Sequence, residues 1–164
     1  MRLLWISALL AFAHDQAGKY VVIHQMELWR VRAIEVFPPL LNFRYGENYG
    51  INFGIGGDGV NAWVWVAIAA VICTALLVWV TRTKDMPRLG YVCAGLLIGG
   101  ALGNVFDRLV YGYVLDFLNN SCCGFQNPFS YNVADVFVFV GAIGLVFLTP
   151  DHGKDARKGS KKGR

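Results

Sequence analysis

The stretch LGYVCAGLLIGGALGNVFDRLV (residues 89–110) reads as a helix made for lipid until its last turns. It is long enough, since a helix needs about 20 mostly apolar residues to cross a bilayer. Its glycines and alanines let neighbouring helix backbones approach closely where no water drives association. The segment is therefore expected at the centre of a helix bundle. Its end breaks the pattern, with Asn104, Asp107 and Arg108 where the helix should stay apolar. An ionisable residue inside a span is costly and marks a functional site by default.

Working outward, three further segments are apolar and long: residues 3–23, 61–80 and 131–149. The whole chain of 164 residues is 55% hydrophobic and 16% charged, with mean hydropathy +0.45. Soluble domains carry about 25% charged residues, so the composition argues for a membrane protein. No run reads as a linker. The expectation is one mainly α membrane domain over residues 1–150, a bundle of four transmembrane helices, followed by a basic tail, residues 151–164.

With four spans both ends lie on one side. That side holds Arg2, the loop 81–88 and the tail, which together carry ten of the fifteen Lys and Arg residues. The positive-inside rule makes it the cytoplasm. Segments 24–60 and 111–130 then face outward. The tail has no aromatics among its charges, so it reads as a solvated segment near anionic lipid and not as a nucleic-acid binder.

The N-terminus has a second reading. MRLLWISALLAFA has the positive start, apolar middle and A-x-A end of a signal peptide. Against that, the apolar pattern continues through KYVVIH, and removal would leave three spans. A retained first helix with Asp15 in its outer half is expected.

Segment 24–60 is too polar to span. RAIEVF and LLNFRY flank a Pro-Pro turn signal, and the segment ends in glycines. Short strands forming a small outward-facing β platform at the headgroup level are expected, with Trp29, Arg30 and Arg32 suited to that depth. His14, His24 and His152 share no ligand spacing and no C-x-x-C occurs, so neither a metal nor a cofactor is expected. Cys122 and Cys123 are adjacent, a placement that strains any bond between them.

The carboxylates carry the chemistry. Asp15, Asp107, Asp116 and Asp135 come from separate parts of the chain, yet the span assignment puts all of them near the outer interface. Asn104 and Asp107, and likewise Asn132 and Asp135, are three residues apart and so share a helix face. Arg108 is expected to pair with a carboxylate. Asp107 and Asp116 are nine apart, on opposite faces of any continuous helix at about 100° per residue. The helix should therefore stop near Gly112, with Asp116 returning on irregular backbone.

Two close carboxylates can hydrolyse a peptide unaided. They cannot both ionise easily, so they share one proton. The ionised one takes a proton from water and the protonated one polarises the scissile carbonyl. The competing reading is a buried ion-pair network that only holds helices together.

At these residues the chain resembles the lipoprotein signal peptidase (signal peptidase II) family, from Asp15 to about Ala142. DQAGK (15–19) matches a D-Q-x-x-K stretch and ENYGINFG (47–54) resembles an N-x-G-x-x-F-G segment. GGALGNVFDR (99–108) matches G-N-x-x-D-R, GYVLDF (112–117) carries one aspartate, and YNVADV (131–136) resembles F-N-x-A-D. The resemblance implies an aspartic endopeptidase of the bacterial inner membrane with its site near the outer leaflet and a β-cradle outside. It implies cleavage of prolipoproteins before a diacylglyceryl-modified cysteine. Asp116 and Asp135 would be catalytic, with Asp15, Lys19, Asn48, Asn104, Asp107, Arg108 and Asn132 binding substrate or supporting the pair. Globomycin-type cyclic peptides would be inhibitors. Gly18 and Tyr131 depart from the usual Ser or Thr and Phe, and Tyr131 adds a hydroxyl near the site.

Two other functions compete. A small proton-coupled transporter would also use intramembrane aspartates, but nearer the midplane. A membrane assembly subunit would use them structurally.

Overall fold

The computed structural model describes residues 1–50 and 60–148. The basic tail, the end of the fourth apolar segment at Thr149 and the second half of ENYGINFG lie outside the described residues. Helix α1 covers Arg2–Lys19 and runs on through a π-helical turn, Tyr20–Gln25. A one-turn helix α2 (Leu28–Val31) leads into strands β1 (Ala33–Phe37) and β2 (Leu41–Asn48). Helices α3 (Ala62–Arg82) and α4 (Arg88–Tyr111) follow, then strand β3 (Val114–Asn119) and helix α5 (Val133–Leu148). Of these, α3 and α4 are long and apolar enough to cross a membrane, and α5 is a shorter apolar helix.

Helix α4 is central, as its small residues require. It packs against α1 and α5 and, less extensively, α3. The glycines set the distances. A Cβ at Gly95 would overlap the Ser7 hydroxyl and one at Gly99 the Ala8 carbonyl, so α1 lies against bare backbone. On the α5 side a Cβ at Gly100 would stand 2.5 Å from the Ala134 carbonyl oxygen. Gly141 of α5 returns the contact, its Cβ falling 2.5 Å from the Cys93 oxygen. Leu4, Ala8, Val80, Ala94, Ile98 and Leu145 fill the space between helices. The outer faces are apolar too: Leu9, Trp63, Val71, Val146 and Phe147 are exposed. A soluble monomer rarely exposes so continuous an apolar surface, which suits lipid around the bundle.

The three strands form one antiparallel sheet in the order β1-β2-β3. The hairpin β1–β2 turns at Pro38-Pro39, as the sequence indicates. The third strand is a correction. Helix α4 does end at Gly112, whose left-handed backbone (φ 84°) suits glycine. Beyond it, however, Asp116 sits on β3, opposite Gly46 of β2, and not on irregular backbone. The strand was hidden because it is buried on both faces, so VLDFLN lacks the polar–apolar alternation of a half-exposed strand. Leu115 and Phe117 join Val22, Ile23 and Leu28 in a second apolar cluster under the sheet.

Cys122 and Cys123, adjacent in sequence, are joined in a disulfide. Left-handed backbone at Cys123 and Gly124 closes the turn that holds them.

Candidate active site

Polar side chains from α1, β2, α4, β3 and the start of α5 converge at one end of the bundle. Asn132 immediately precedes α5 and caps it. Its Oδ1 accepts from the Asp135 backbone N–H (2.9 Å), and its own N–H donates to Asp135 Oδ2 (3.2 Å). This reciprocal exchange is a capping box. The three-residue spacing therefore acts through a helix cap and not through a shared face, because Asn132 lies outside the helix.

The same asparagine reaches the other aspartate. Asn132 Nδ2 donates to Asp116 Oδ1 at 2.7 Å, and Asn48 Nδ2, from the end of β2, donates to Asp116 Oδ2 at 3.1 Å. Asn104 of α4 donates through Nδ2 to Asp135 Oδ1 at 2.9 Å and accepts on Oδ1 from Asn132 Nδ2 at 3.1 Å. Each carboxylate thus receives two N–H donors, and two amides joined to each other tie the pair together. Burial, then the nearby Asp135 charge, pushes the Asp116 carboxyl up to about 7, while its Asn132 and Asn48 donors pull the other way. At neutral pH such a group holds a proton part of the time, and two such neighbours can share one.

A second cluster lies behind the first. Lys19, only 2% exposed, contacts Asp15 Oδ2 at 2.8 Å and Asp107 Oδ2 at 2.6 Å. Asp15 and Asp107 are fully buried, so each needs this cation. Gln16 bridges the same two carboxylates. Gln16 has no role in the residue reading, although its place between Asp15 and Lys19 on the last turn of α1 puts it beside them.

Arg108 is a second correction. It makes no ion pair among the described residues; its guanidinium donates to the backbone carbonyls of Asn104 and Gly50. The buried carboxylates are met by Lys19 instead, which reaches them because it lies one turn after Asp15 on the facing helix. Tyr131 is a third. Its hydroxyl donates to Asn120, on the exposed side of the sheet, and not toward the aspartates.

Two grooves open on the pair. One, about 210 Å³, is of mixed polarity and is lined by Arg44, Glu47, Asn48, Ser130 and Asp116. The other, about 420 Å³, is largely apolar and runs between α3, α4 and α5, lined by Trp65, Ile72, Leu97, Phe139 and Asp135 among others. One aspartate thus lines each groove.

The Signal peptidase (SPase) II family model matches residues 7–149. The lipoprotein signal peptidase of Alteromonas mediterranea is 38% identical, over 98% of this chain and 91% of its own length. That of Vibrio campbellii is 35% identical, over 96% and 93%. A bacterial membrane enzyme solved by the in meso method at 2.3 Å superposes with a TM-score of 0.71 at 26% identity, over 97% of this chain and 90% of that one. On the length of these matches, the chain belongs to the signal peptidase II family.

Proposed function

We propose that this chain is a lipoprotein signal peptidase, an aspartic endopeptidase that removes the signal peptide from diacylglyceryl-modified prolipoproteins. Asp116 and Asp135 are its catalytic pair. The observation that carries the reading is Asn132, which hydrogen-bonds to both carboxylates at once. Asp116 keeps the shared proton and donates a hydrogen bond to the scissile carbonyl. Asp135 lies in the first turn of α5, where the helix amides complement an anion. It takes a proton from the attacking water, and the tetrahedral intermediate then collapses as a proton passes to the leaving amine. Asn48, Asn104 and Asn132 hold the carboxylates in register; Asp15, Asp107 and Arg108 support the surrounding backbone.

The two grooves suit such a substrate. The apolar one, open between helices, takes the hydrophobic segment of the signal peptide without leaving lipid. The other, of mixed polarity beside β2, takes the chain beyond the lipidated cysteine. In this reading the domain covers residues 1–150 with four spans, both termini are cytoplasmic, and the sheet lies at the outer leaflet of the inner membrane. A globomycin-type cyclic peptide would inhibit by lying between the two aspartates. A transporter is less well supported, since the carboxylates cluster at helix ends and not at their middles.

The test is cleavage by the purified protein of a prolipoprotein with and without its diacylglyceryl group. Cleavage of the lipidated form, lost on replacing Asp116 or Asp135 with Asn, is expected. Equal cleavage of both forms would remove the lipid from the specificity.

A further inference from the structure

Behind the aspartate pair lies a buried charge that the reaction does not consume. Lys19 is almost fully buried at the end of α1, held between the Asp15 and Asp107 carboxylates. What those carboxylates do with their remaining capacity is specific. Asp15 Oδ1 accepts from the backbone N–H of Ala134 at 2.9 Å. Asp107 Oδ2 accepts from the backbone N–H of Leu115 at 3.1 Å. Ala134 is the residue before Asp135, and Leu115 is the residue before Asp116. One ammonium therefore joins two arms, and each arm grips the peptide unit next to one aspartate.

Both grips also fill a local need. Ala134 lies in the first turn of α5, where N–H groups have no intrahelical acceptor, and Asp15 supplies one from another helix. Lys19 Nζ also stands 3.5 Å from Asn104 Oδ1, the atom that accepts from Asn132. With its oxygen turned toward Lys19 and Asn132, Asn104 aims its amide nitrogen at Asp135. The ammonium thus acts on the pair through backbone at two points and through one amide.

We propose that Lys19 is a positioning residue that sets the spacing of Asp116 and Asp135 by drawing Asp15 and Asp107 into a single clamp. The proposal rests on the assignment of those two aspartates as the catalytic pair. Without the ammonium, two buried carboxylates would be left adjacent with only Gln16 between them. They would move apart or take up a proton, and either response shifts the peptide units at 134 and 115. The charged and titratable groups around Lys19 are Asp15 on its own helix, His24 in the π-helical turn after it, which lines the same small cavity, Asp107 on α4, Asp116 on β3 and Asp135 on α5. Lys19 also contributes to the field at Asp116, drawing that carboxyl down against the effect of burial.

The experiment uses the full-length enzyme in detergent with a lipidated prolipoprotein substrate. Lys19→Met and Asp107→Asn are compared with the double variant Lys19→Met/Asp107→Asn. In the double variant the new amide can accept from Leu115 N–H and donate to Asp15, restoring both the bridge and the net charge. Folding is followed by circular dichroism and thermal melting.

Lys19→Met is expected to lower kcat by about 10²-fold with KM little changed, since misplacement of reacting groups by about 1 Å costs that much. Its basic limb of kcat against pH should move upward, because the positive charge near Asp116 is gone. The double variant should recover about tenfold of the loss, a non-additive result for two substitutions in one network.

Wild-type kcat with an unmoved basic limb in Lys19→Met overturns the proposal. So does a change confined to KM, or a double variant no better than the product of its single changes. If Lys19→Met does not fold, the double variant decides: a folded double variant with near-wild-type pH dependence and partial activity is expected, and an inactive folded one overturns the proposal. Cleavage retained by Asp116→Asn or Asp135→Asn would instead show that the pair itself is misassigned.

Discussion

Asn132 and Asp135 exchange two hydrogen bonds, backbone N–H to side-chain oxygen in both directions, at 3.2 and 2.9 Å. The helix cap and the candidate base are thus one structure. The same carboxylate that satisfies the start of α5 faces the apolar groove. Its remaining oxygen is met by Asn104.

Replacing Asp116 or Asp135 with Asn should lower kcat by about 10²–10⁴-fold, the usual range for loss of a positioned acid or base. Asn at 135 can still accept from the Asn132 N–H, so the cap persists and the protein should stay folded. Initial rates on lipidated substrate, with melting curves alongside, check this.

Removing the cap should differ from removing the base. Asn132→Ala leaves both carboxylates in place but takes away the donor to Asp116 and the acceptor for Asp135 N–H. It should cost about 1 kcal/mol of stability as well as activity. A fall in activity with no fall in melting temperature would argue against the capping role.

The pH dependence follows from Asp116, raised to about 7 by burial first and by Asp135 second. If Asp116 is the acid proposed above, it must carry its proton, and kcat/KM should fall as pH rises through about 7 in the free enzyme. Asn48→Ala removes a donor that favours the ionised form. That substitution should move the falling limb to higher pH. Rates between pH 5 and 9 for both proteins measure the shift.

Stability should show the same group with its sign reversed in use. The folded value lies above the ordinary carboxyl value of about 3.9, so Asp116 favours folding at low pH and that contribution is lost as pH rises through about 7. Asp116→Asn should therefore raise the melting temperature more at pH 8 than at pH 4. Melting curves of the detergent-solubilised variant at the two values decide it.

The close contact of α1 with α4 should be intolerant of bulk. Gly99→Val would drive side-chain carbon into the Ala8 carbonyl, a cost of about 1–3 kcal/mol or more. Because α1 carries Asp15 and Lys19, activity should fall with it. Gly112→Ala, with nothing near the new carbon but a left-handed backbone, should lower stability modestly and leave the α1 contact intact.

Much of this site was legible in the residues. Asp107 could not meet Asp116 on one helix, so angular spacing called for a stop between them, and the glycine of YGY (residues 111–113) marked where. The small residues of 89–110 marked the central helix. What escaped was structure made by partners. Strand β3 exists because β2 offers it a neighbour and both its faces are covered, which erases its alternation. Arg108, adjacent to Asp107 in sequence, is the cation the sequence suggests, whereas Lys19 meets Asp15 one turn away on its own helix and reaches Asp107 across the packed helices. The backbone donors at Leu115 and Ala134 have no side-chain signature at all.

The capped start of α5 is the last part of the site to be synthesised, since Asp135 comes after α1, the sheet and α4 in chain order. Until α5 docks, Asp116 lacks Asn132 and Asp15 lacks the Ala134 N–H it holds. A chain emerging into the membrane thus holds Asp116 before the donor from Asn132 is in place. Under the proposed assignment, it is the docking of the last helix that brings the two aspartates together.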